Sequence, residues 1–405
     1  SNHSDTEVLL HGYRQWGTAI TNRLNGMWAL AIYDREKNLM WLSRDRFGKK
    51  PLYYIVKGDN FAFSSELLSL CRHPITRPRK ISEQSLVKYF AYGYVPAPAS
   101  LVEGIHKLPA GHNLTFNLST RRVQVERYWR FEFDPDMSWL KYKDSLADAL
   151  LEKLYKAVER RLQADVPVGV FLSGGVDSSS IAALAVTASG ARKVRTYSIG
   201  FTEQSFDESL YSKDMAEVLG TTHTSETMSI DRCVDLLDEI YESLDEPIAD
   251  NSLVPSFLLS KIASRDITVA LGGDGADELF AGYDPFKAIV PAQIYSRVVP
   301  NIVHRSISGL TRNLPVSHRN MSFDFKLKRF LSGLGVPSNI RNAVWLGTLP
   351  PGHLTQLFGK EFSPDIVYEE AISAWDEVHA KNDVDKTLQF YTELYLQNGI
   401  LTKMD

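Results

Sequence analysis

The sequence predicts two fold classes in one chain, an α+β front part with an antiparallel sheet and an α/β back part with a doubly wound parallel sheet. The front prediction rests on a hairpin pattern, in which the apolar runs 27–33 and 39–43 flank a polar turn. The back prediction rests on apolar strands that alternate with helical segments. Such strands are joined by right-handed crossovers, and ligands bind beyond their carboxyl ends. We expect helices after residue 283 to complete the back part.

Length and composition limit the class of protein. A chain of 405 residues is long for one core and suggests at least two domains. The net charge of −4, without a long basic run, argues against nucleic acid as a partner, and no apolar run approaches the length of a membrane span. Cys71 and Cys233 are the only cysteines, which argues against disulfide frameworks, zinc sites and secretion. These features are typical of a cytoplasmic enzyme.

The front part begins with a capping box. Ser4 is the predicted N-cap and Glu7 follows three residues later, so we expect a helix through Trp16. After the hairpin, strands 51–55 and 61–64 are predicted to extend the same sheet. Two helices and three late strands should follow, near 65–70, 82–92, 107–111, 113–118 and 123–129. A linker at 131–138 would then separate a domain at 1–130 from a domain at 139–405.

The back part should open with an amphipathic helix at 142–162 that leads into the strand 168–172. This strand passes abruptly into Ser, Gly and Asp, before a helix that Gly190 ends. Further strands are expected at 194–201, 222–227 and 267–271, with helices at 209–219, 231–244 and 252–263. Strands and helices in this alternation imply βαβ units.

The loop at 173–179, SGGVDSS, lies between the first parallel strand and its helix. This layout directs backbone N–H groups and a helix dipole at an anion, and glycines let a phosphate approach the main chain. Asp177 offers a carboxylate suited to Mg²⁺. A Ser/Gly turn alone is common, but a block of this length at a strand end favours nucleotide binding, and the absence of a following lysine excludes a Walker loop. The predicted nucleotide-binding residues here are Leu172, Ser173, Gly174, Gly175, Asp177, Ser178 and Ser179.

A second glycine-rich acidic loop follows the strand 267–271. Acidic residues at a helix N-terminus are ordinarily caps, but three carboxylates within five residues exceed what capping needs. Because Mg²⁺ prefers carboxylates, phosphate oxygens and water, Asp177 and Asp277 are predicted to share a cation that bridges a triphosphate. The predicted catalytic residues are Asp274, Asp277 and Glu278, and the predicted nucleotide contacts are Gly272 and Gly273.

The strand 194–201 carries a weaker signal at Ile199 and Gly200. Its backbone suits the edge of an adenine, which makes Ile199 a candidate nucleotide contact. An ordinary strand that ends near a glycine explains the same residues, and both interpretations stay open.

Several blocks resemble a known family. SGGVDSS resembles the pyrophosphate-binding loop of the N-type ATP pyrophosphatases, which include asparagine, GMP, NAD and argininosuccinate synthetases. VALGGDGADELFAGY at 269–283 resembles the SGEGADELFGGY block of asparagine and β-lactam synthetases, and DEPIAD at 245–250 resembles a segment near their acceptor site. Four motifs of the front part are similar to the later half of class II glutamine amidotransferase domains, which are Ntn-hydrolase-like. These motifs are NGMWALAIYD at 25–34, RDRFGKKPLY at 44–53, SSE at 64–66 and LPAG at 108–111. Together they resemble the glutamine-dependent asparagine synthetases, and the front remnant disfavours a GMP synthetase.

The resemblance implies an activity, its cofactors and its partners. ATP with Mg²⁺ would adenylate a carboxylate, by default aspartate, and ammonia from glutamine would displace AMP to form an amide such as asparagine. A related amidotransferase for a sugar acid of a surface polysaccharide, a β-lactam-synthetase-like enzyme and a non-catalytic nucleotide-binding fragment are the alternatives. The resemblance also implies that Asp5 holds the glutamine α-amino group, although a helix N-terminus favours an aspartate as well. Family members are usually homodimers.

Departures from the family pattern accompany these matches. Gly272 stands where the family usually has serine, and Asp274 replaces a glutamate that acts on the incoming amine, which puts the acceptor in doubt. The family's glutaminase nucleophile is an N-terminal cysteine, whereas this sequence starts at Ser1 with no cysteine before Cys71. LQNGILTKMD at 396–405 is similar to the start of the family's LxxDLLxKxDRxSM segment, beyond which a catalytic lysine follows. We therefore expect a chain truncated at both ends and without glutaminase activity.

Overall fold

The computed structural model describes residues 4–134, 138, 141–190, 193–311, 314, 315, 317, 321–380 and 382–404. Its first helix, α1 (Asp5–Trp16), begins where the capping box predicts: Ser4 Oγ accepts a hydrogen bond from the backbone N–H of Thr6 at 3.3 Å. A 3₁₀ helix, Gly17–Asn22, continues beyond it. Local capping chemistry therefore explains where this helix begins.

The front part contains two antiparallel sheets. The first has the order β1-β2-β6-β7 and the second the order β4-β3-β5. The strands are β1 (Ala29–Asp34), β2 (Leu39–Arg44), β3 (Tyr53–Lys57), β4 (Asn60–Ser64), β5 (Ile105–Lys107), β6 (His112–Asn117) and β7 (Val123–Arg127). The helices of this part are α2 (Leu67–Arg72), the 3₁₀ turn Pro74–Thr76 and α3 (Glu83–Tyr92).

The prediction that β3 and β4 extend the first sheet was wrong. The free edge of β2 is taken by β6, in the register Leu42 with Leu114. The chain leaves the first sheet at a tight corner, where the Asp45 carboxylate accepts hydrogen bonds from the N–H groups of Phe47, Lys49 and Lys50 at 3.0–3.1 Å. This corner turns β3 away, so that it pairs with β4 and β5 instead.

The back part is a four-stranded parallel sheet with helices on both faces, as predicted. The strand order is β10-β9-β8-β11, and every pair is parallel. Its elements are α4 (Lys143–Leu162), β8 (Val168–Phe171), α5 (Val176–Ser189), β9 (Arg195–Phe201), α6 (Ser209–Leu219), β10 (Thr222–Met228), α7 (Ile230–Ser243), α8 (Leu253–Ala263) and β11 (Val269–Leu271).

The two faces of the parallel sheet bury separate apolar clusters. On one face Val170 packs with Val158 of α4 and with Ala216 of α6. On the other, Tyr197 packs with Leu236 of α7 and Leu258 of α8. Since β8 and β11 are neighbours that run parallel, the loops after their carboxyl ends lie at the same edge of the sheet.

The remaining chain is helical. It comprises α9 (Ala276–Phe280), α10 (Asp284–Val298), α11 (Asn301–Thr311), α12 (Phe323–Leu334), α13 (Ser338–Leu346), α14 (Pro351–Phe358), α15 (Pro364–Val367), α16 (Glu369–Asp376), α17 (Asp383–Phe390), a π-helical segment (Tyr391–Ile400) and α18 (Leu401–Lys403). Within the described ranges, no helix combines the length and the apolar character needed to cross a bilayer.

The two parts share a large core. Ala91 and Tyr92 of α3 pack with Tyr368 and Ala371, next to and within α16. Beside them the Lys88 ammonium, almost fully buried, forms an ion pair with Glu370. The domain boundaries 1–130, 131–138 and 139–405 stay a prediction, and positions 135–137 of the linker lie outside the described residues.

Candidate active site at the edge of the parallel sheet

The loop after β8 is shaped by its own serines. Ser178 Oγ accepts a hydrogen bond from the backbone N–H of Ser173 at 3.1 Å and lies 2.9 Å from Ser173 Oγ. Ser173 Oγ in turn accepts from the N–H of Gly175 at 3.3 Å. The loop then enters α5, whose first turn carries Asp177. The N–H groups of Ser173 and Gly175 are used inside the loop, whereas the N-terminus of α5 has no side-chain cap. An uncapped helix N-terminus beside serine hydroxyls is an arrangement that can bind an anion.

Gly174 is required by the packing of the loop, and its predicted nucleotide contact stays a prediction. Its φ is +84°, and a Cβ there would lie 2.5 Å from Cβ of Tyr211 at the start of α6. Glycine is therefore required because α6 packs against the loop, and a left-handed backbone adds to that requirement. Among the described residues that line the adjoining cavity, Gly174 is absent.

The two predicted loops meet directly. A Cβ on Gly273 would lie 3.0 Å from Cβ of Asp177 and 3.0 Å from the backbone N of Ser178. Asp277 faces the same space: burial, and then the negative charge of Asp177, raises the pKa of its carboxyl. Two carboxylates that repel each other across a polar cavity favour a cation between them.

Glu278 is placed beneath the loop. Its side chain is buried, and the residue is only 1% exposed. It accepts a hydrogen bond of 2.7 Å from the Tyr283 hydroxyl. Burial raises the pKa of Glu278, although the Tyr283 hydrogen bond opposes the rise. Glu278 is thus positioned to support the loop from behind as well as to border the cavity.

Two departures from the family pattern lie against each other. The Asp274 carboxylate folds back over Gly272, where a Cβ would lie 2.8 Å from Asp274 Oδ2. A serine at position 272 would force this carboxylate to move. The position of the Asp274 carboxylate therefore depends on the glycine at position 272.

Both loops line one cavity of about 420 Å³. Most of the predicted site residues border it, namely Leu172, Ser173, Gly175, Asp177, Ser178, Ile199, Gly272, Gly273, Asp274, Asp277 and Glu278. Apolar side chains of Tyr197, Phe201 and Leu259 lie near Ile199 and give one wall a surface suited to a flat ring. Ser179 is buried behind the loop, and Asp5 is exposed in the first turn of α1.

Sequence reasoning missed Lys403. Five carboxylates border the cavity (Asp177, Glu208, Asp274, Asp277 and Glu278), and among the described lining residues Lys403 is the one lysine or arginine. Lys403 Nζ lies 2.8 Å from Oδ2 of Asp250 and 2.5 Å from Oγ of Ser252. The available signal was the lysine of the terminal motif, but only the fold brings it to residues more than 150 positions earlier.

The DEPIAD segment serves more than the acceptor region. The Asp245 carboxylate accepts hydrogen bonds from the N–H groups of Leu67 and Leu68 in α2, and Glu246 is paired with Lys107 at 2.5 Å. Its first two acids therefore contact the front part. Asp250, at its far end, contacts Lys403 at the cavity.

Comparison with known proteins decides the family. The model of the asparagine synthase family matches residues 149–405, and that of the glutamine amidotransferase domain matches residues 1–129.

The chain belongs to the asparagine synthase family.

Relatives in this family cover most of the chain. Asparagine synthetase [glutamine-hydrolyzing] 1 of Bacillus subtilis is 30% identical over 99% of this chain and 61% of its own length. A relative from Methanocaldococcus jannaschii is 38% identical over 69% of this chain and 54% of its own length. Amidase chry2 of Gibberella zeae is 29% identical over 71% of this chain and 44% of its own length. The chain thus spans between 44% and 61% of the length of these relatives.

The acids of this family site suit Mg²⁺. Within the described residues, no group of three or more His, Cys, Asp or Glu is arranged to hold a metal by itself. Mg²⁺ commonly takes only one or two carboxylates, with substrate phosphates and water as its other ligands. Asp177 and Asp277, which line one cavity and interact electrostatically, meet that requirement.

The front part offers no reactive thiol among its described residues. Cys71 is buried in a cluster with Leu67 and Ile105, and this burial raises the pKa of its thiol. A raised pKa disfavours the thiolate that acts as a nucleophile. The prediction of no glutaminase activity and the assignment of Asp5 to glutamine stay predictions.

Proposed function

We propose that this asparagine synthase family chain forms an amide by ATP-dependent activation of a carboxylate, with AMP and pyrophosphate as products. The observation that carries the proposal is the convergence of the loops 173–179 and 272–278 on one cavity at the carboxyl edge of the parallel sheet. One loop leads into the uncapped N-terminus of α5, and the other presents carboxylates opposite Asp177.

The chemistry follows from the poor leaving group of a carboxylate. A carboxylate oxygen of the substrate attacks the α-phosphorus of ATP, and the bond from that phosphorus to the bridging oxygen breaks, which releases pyrophosphate. Ammonia then attacks the acyl carbon, AMP departs with the electron pair, and the extra proton leaves the nitrogen. Charge develops on the departing pyrophosphate, so donors that are already oriented lower the barrier.

The residues divide these tasks between the two loops. The N-terminus of α5 and the hydroxyls of Ser173 and Ser178 would bind the β- and γ-phosphates, while Ile199 and its apolar neighbours would hold the adenine. Asp177 and Asp277 would hold Mg²⁺, which supplies neutralisation of phosphate charge. Asp274 would accept the proton or orient the amine, as the shorter counterpart of the family glutamate.

A second cavity suggests the route of the nitrogen donor. A space of about 1010 Å³ lies between the front and back parts and shares Ser256, Lys403 and Met404 with the nucleotide cavity. Glutamine-derived ammonia, expected from the amidotransferase part of this family, could enter the nucleotide cavity at that junction. Glutamine is therefore the proposed nitrogen source in the longer family member, and ammonia the species that reacts.

Aspartate is the proposed acceptor, since the relatives are named asparagine synthetases. One observation favours another carboxylate as the second candidate. Asp274 folds over Gly272 and withdraws its charge from the cavity by the length of one methylene relative to the family glutamate. A bulkier acceptor, such as a sugar acid or a β-lactam precursor, would use the space that results.

The decisive experiment measures exchange of labelled pyrophosphate into ATP, together with AMP release. L-aspartate and a panel of sugar acids serve as acceptors, and ammonium chloride serves as donor, so the result does not depend on glutamine hydrolysis. We expect exchange that requires one of these carboxylates and AMP release that also requires ammonium. An Asp165→Asn variant, changed at an exposed position before β8, serves as a matched control.

Each outcome separates the candidates. Exchange with aspartate assigns the asparagine-forming reaction, and exchange with another acid assigns the related amidotransferase. ATP binding without exchange for any acceptor would overturn the proposal and leave a non-catalytic nucleotide-binding chain.

A further inference from the structure

Lys403 is a buried cation at the junction of two cavities. Its side chain is only 6% exposed, and its Nζ lies 2.8 Å from Asp250 Oδ2 and 2.5 Å from Ser252 Oγ. An ammonium group has three N–H donors, so these two acceptors leave a third donor for a ligand. Lys403 also lines both the nucleotide cavity and the larger cavity between the two parts of the chain.

The position of Lys403 differs from that of the phosphate loop. Of the described residues that line the larger cavity, none belongs to the loop 173–179. Ser256 and Met404, in contrast, border both spaces together with Lys403. A group bound by Lys403 therefore lies at the mouth shared by the two cavities, on the side where a second substrate meets the nucleotide.

The charge of the cavity explains why this cation is needed. Five carboxylates border the space that has to admit a triphosphate and a further carboxylate. Mg²⁺ held between Asp177 and Asp277 offsets phosphate charge, but an acid substrate arrives as another anion. An anion enters such a site only if a cation is aimed at it, because buried negative charges repel strongly.

We propose that Lys403 binds the carboxylate-bearing acceptor and orients it toward the α-phosphorus of ATP, and that Asp250 and Ser252 are positioning residues for its ammonium. This inference rests on the proposed activation of a carboxylate by ATP. The ion pair with Asp250 and the hydrogen bond to Ser252 fix the direction of the Lys403 ammonium. The acceptor is thus an acid held by one charge-assisted hydrogen bond at the mouth of the cavity.

The test compares Lys403→Met and Lys403→Arg with the unchanged full-length protein. Labelled pyrophosphate exchange gives the KM of L-aspartate and the KM of ATP separately. For Lys403→Met we expect the KM of aspartate to rise at least 10-fold and the KM of ATP to change less than 2-fold, with partial recovery in Lys403→Arg. A rise confined to the KM of ATP, or no change in either, would overturn the inference. Lys287→Met removes an exposed, ion-paired lysine and serves as the control.

Direct binding distinguishes a failure of this inference from a failure of the proposed function. Calorimetry with an ATP analogue whose α,β-bridge cannot be cleaved, followed by L-aspartate, tests acceptor binding without turnover. Tighter aspartate binding by the unchanged chain than by Lys403→Met supports the role of Lys403 even if exchange is absent, which would overturn only the proposed reaction. Equal aspartate binding by both, or none by either, overturns the inference. Asp250→Asn, which retains the lysine, should weaken aspartate binding less than Lys403→Met, and the reverse order would contradict the assignment.

Discussion

The carboxylate of Asp245, in the back part of the chain, accepts a hydrogen bond of 2.8 Å from the backbone N–H of Leu67, at the first turn of α2 in the front part. Its second oxygen accepts from Leu68 at 3.0 Å. The helix is thus capped from another part of the chain, since Glu66 at its own N-cap makes no such bond. Two of the N–H groups that a helix leaves unpaired are satisfied across the interface.

Removing this cap should destabilise the chain. Asp245→Ala leaves both N–H groups without their acceptor, and we expect a loss of about 1 kcal/mol in the free energy of unfolding. Asp245→Asn should cost less, because its amide oxygen still accepts one bond. Urea denaturation measures both, with Asp235→Ala on the exposed side of α7 as the control. Equal stability of Asp245→Ala and the control would contradict the capping role.

Removing the charge of Asp177 should lower activity without lowering stability, because Asp177 and Asp277 repel each other. Asp177→Asn removes a proposed Mg²⁺ ligand, and we expect ATP turnover to fall more than about 100-fold, equivalent to about 3 kcal/mol of lost charge stabilisation. Burial, and then repulsion by Asp177, raises the pKa of Asp277; the same change relieves the repulsion, so the melting temperature should stay the same or rise. AMP release and calorimetry measure the two effects, and unchanged turnover would remove the metal-ligand role.

Gly272 and Asp274 should behave as one unit. Gly272→Ser places a Cβ where Asp274 Oδ2 lies 2.8 Å away, so the carboxylate has to swing and turnover should fall about 10-fold, equivalent to about 1.4 kcal/mol. Adding Asp274→Glu restores the family pair, and we expect the double variant to be more active than the product of the two single effects. A double-mutant cycle on turnover with L-aspartate should give a coupling of at least about 1 kcal/mol. Strictly additive effects would show that the two positions act independently.

Ala281 stores backbone strain at the end of α9. It adopts φ +59°, a left-handed conformation, although the family block quoted above has glycine there. Because an alanine Cβ costs about 1–2 kcal/mol in this conformation, Ala281→Gly should raise the free energy of unfolding by about 1 kcal/mol, after the larger chain entropy of glycine is subtracted. Thermal unfolding checks this, and Ala288→Gly within α10 is the control that should lower stability.

The Asp250–Lys403 pair predicts a loss of stability in acid. Burial alone would raise the pKa of Asp250, but the Lys403 ammonium and the donors of Ser252 outweigh it and hold the pKa below its ordinary value of 3.8. A lowered pKa contributes stability that is fully present above 3.8 and is lost as the pH falls through the folded-state value. We expect the free energy of unfolding of Asp250→Asn to depend less on pH in the acid range. At neutral pH it should be lower by about 3 kcal/mol, because Lys403 stays buried without its anion.

Denaturant unfolding between pH 2 and 7 measures this pH dependence. An Asp235→Asn control should lose stability in acid as the unchanged chain does. If the free energy of unfolding of Asp250→Asn fell equally steeply in acid, other carboxylates would dominate acid unfolding.

Much of the fold and most of the site could be predicted because local chemistry encodes them. The glycines and acids of 173–179 and 272–278 follow apolar strands directly, and parallel strands place such loops at one edge. Helix α1 begins at Ser4 because a side chain caps its own neighbours. The split of the front strands into two sheets was not predictable, because it depends on which strand occupies the free edge of β2 and on the corner at Asp45.

The sequence by itself determined the two kinds of sheet, the family and most of the residues that border the cavity between the loops 173–179 and 272–278, because each depends on neighbours within a few positions of one another. Only the tertiary structure decided that Lys403 meets Asp250, that Asp245 caps α2 and that Gly174 serves the packing of α6. These are contacts between residues far apart in the chain, and periodicity and capping patterns carry no information about such distances. Charge complementarity and close packing in the folded state select them.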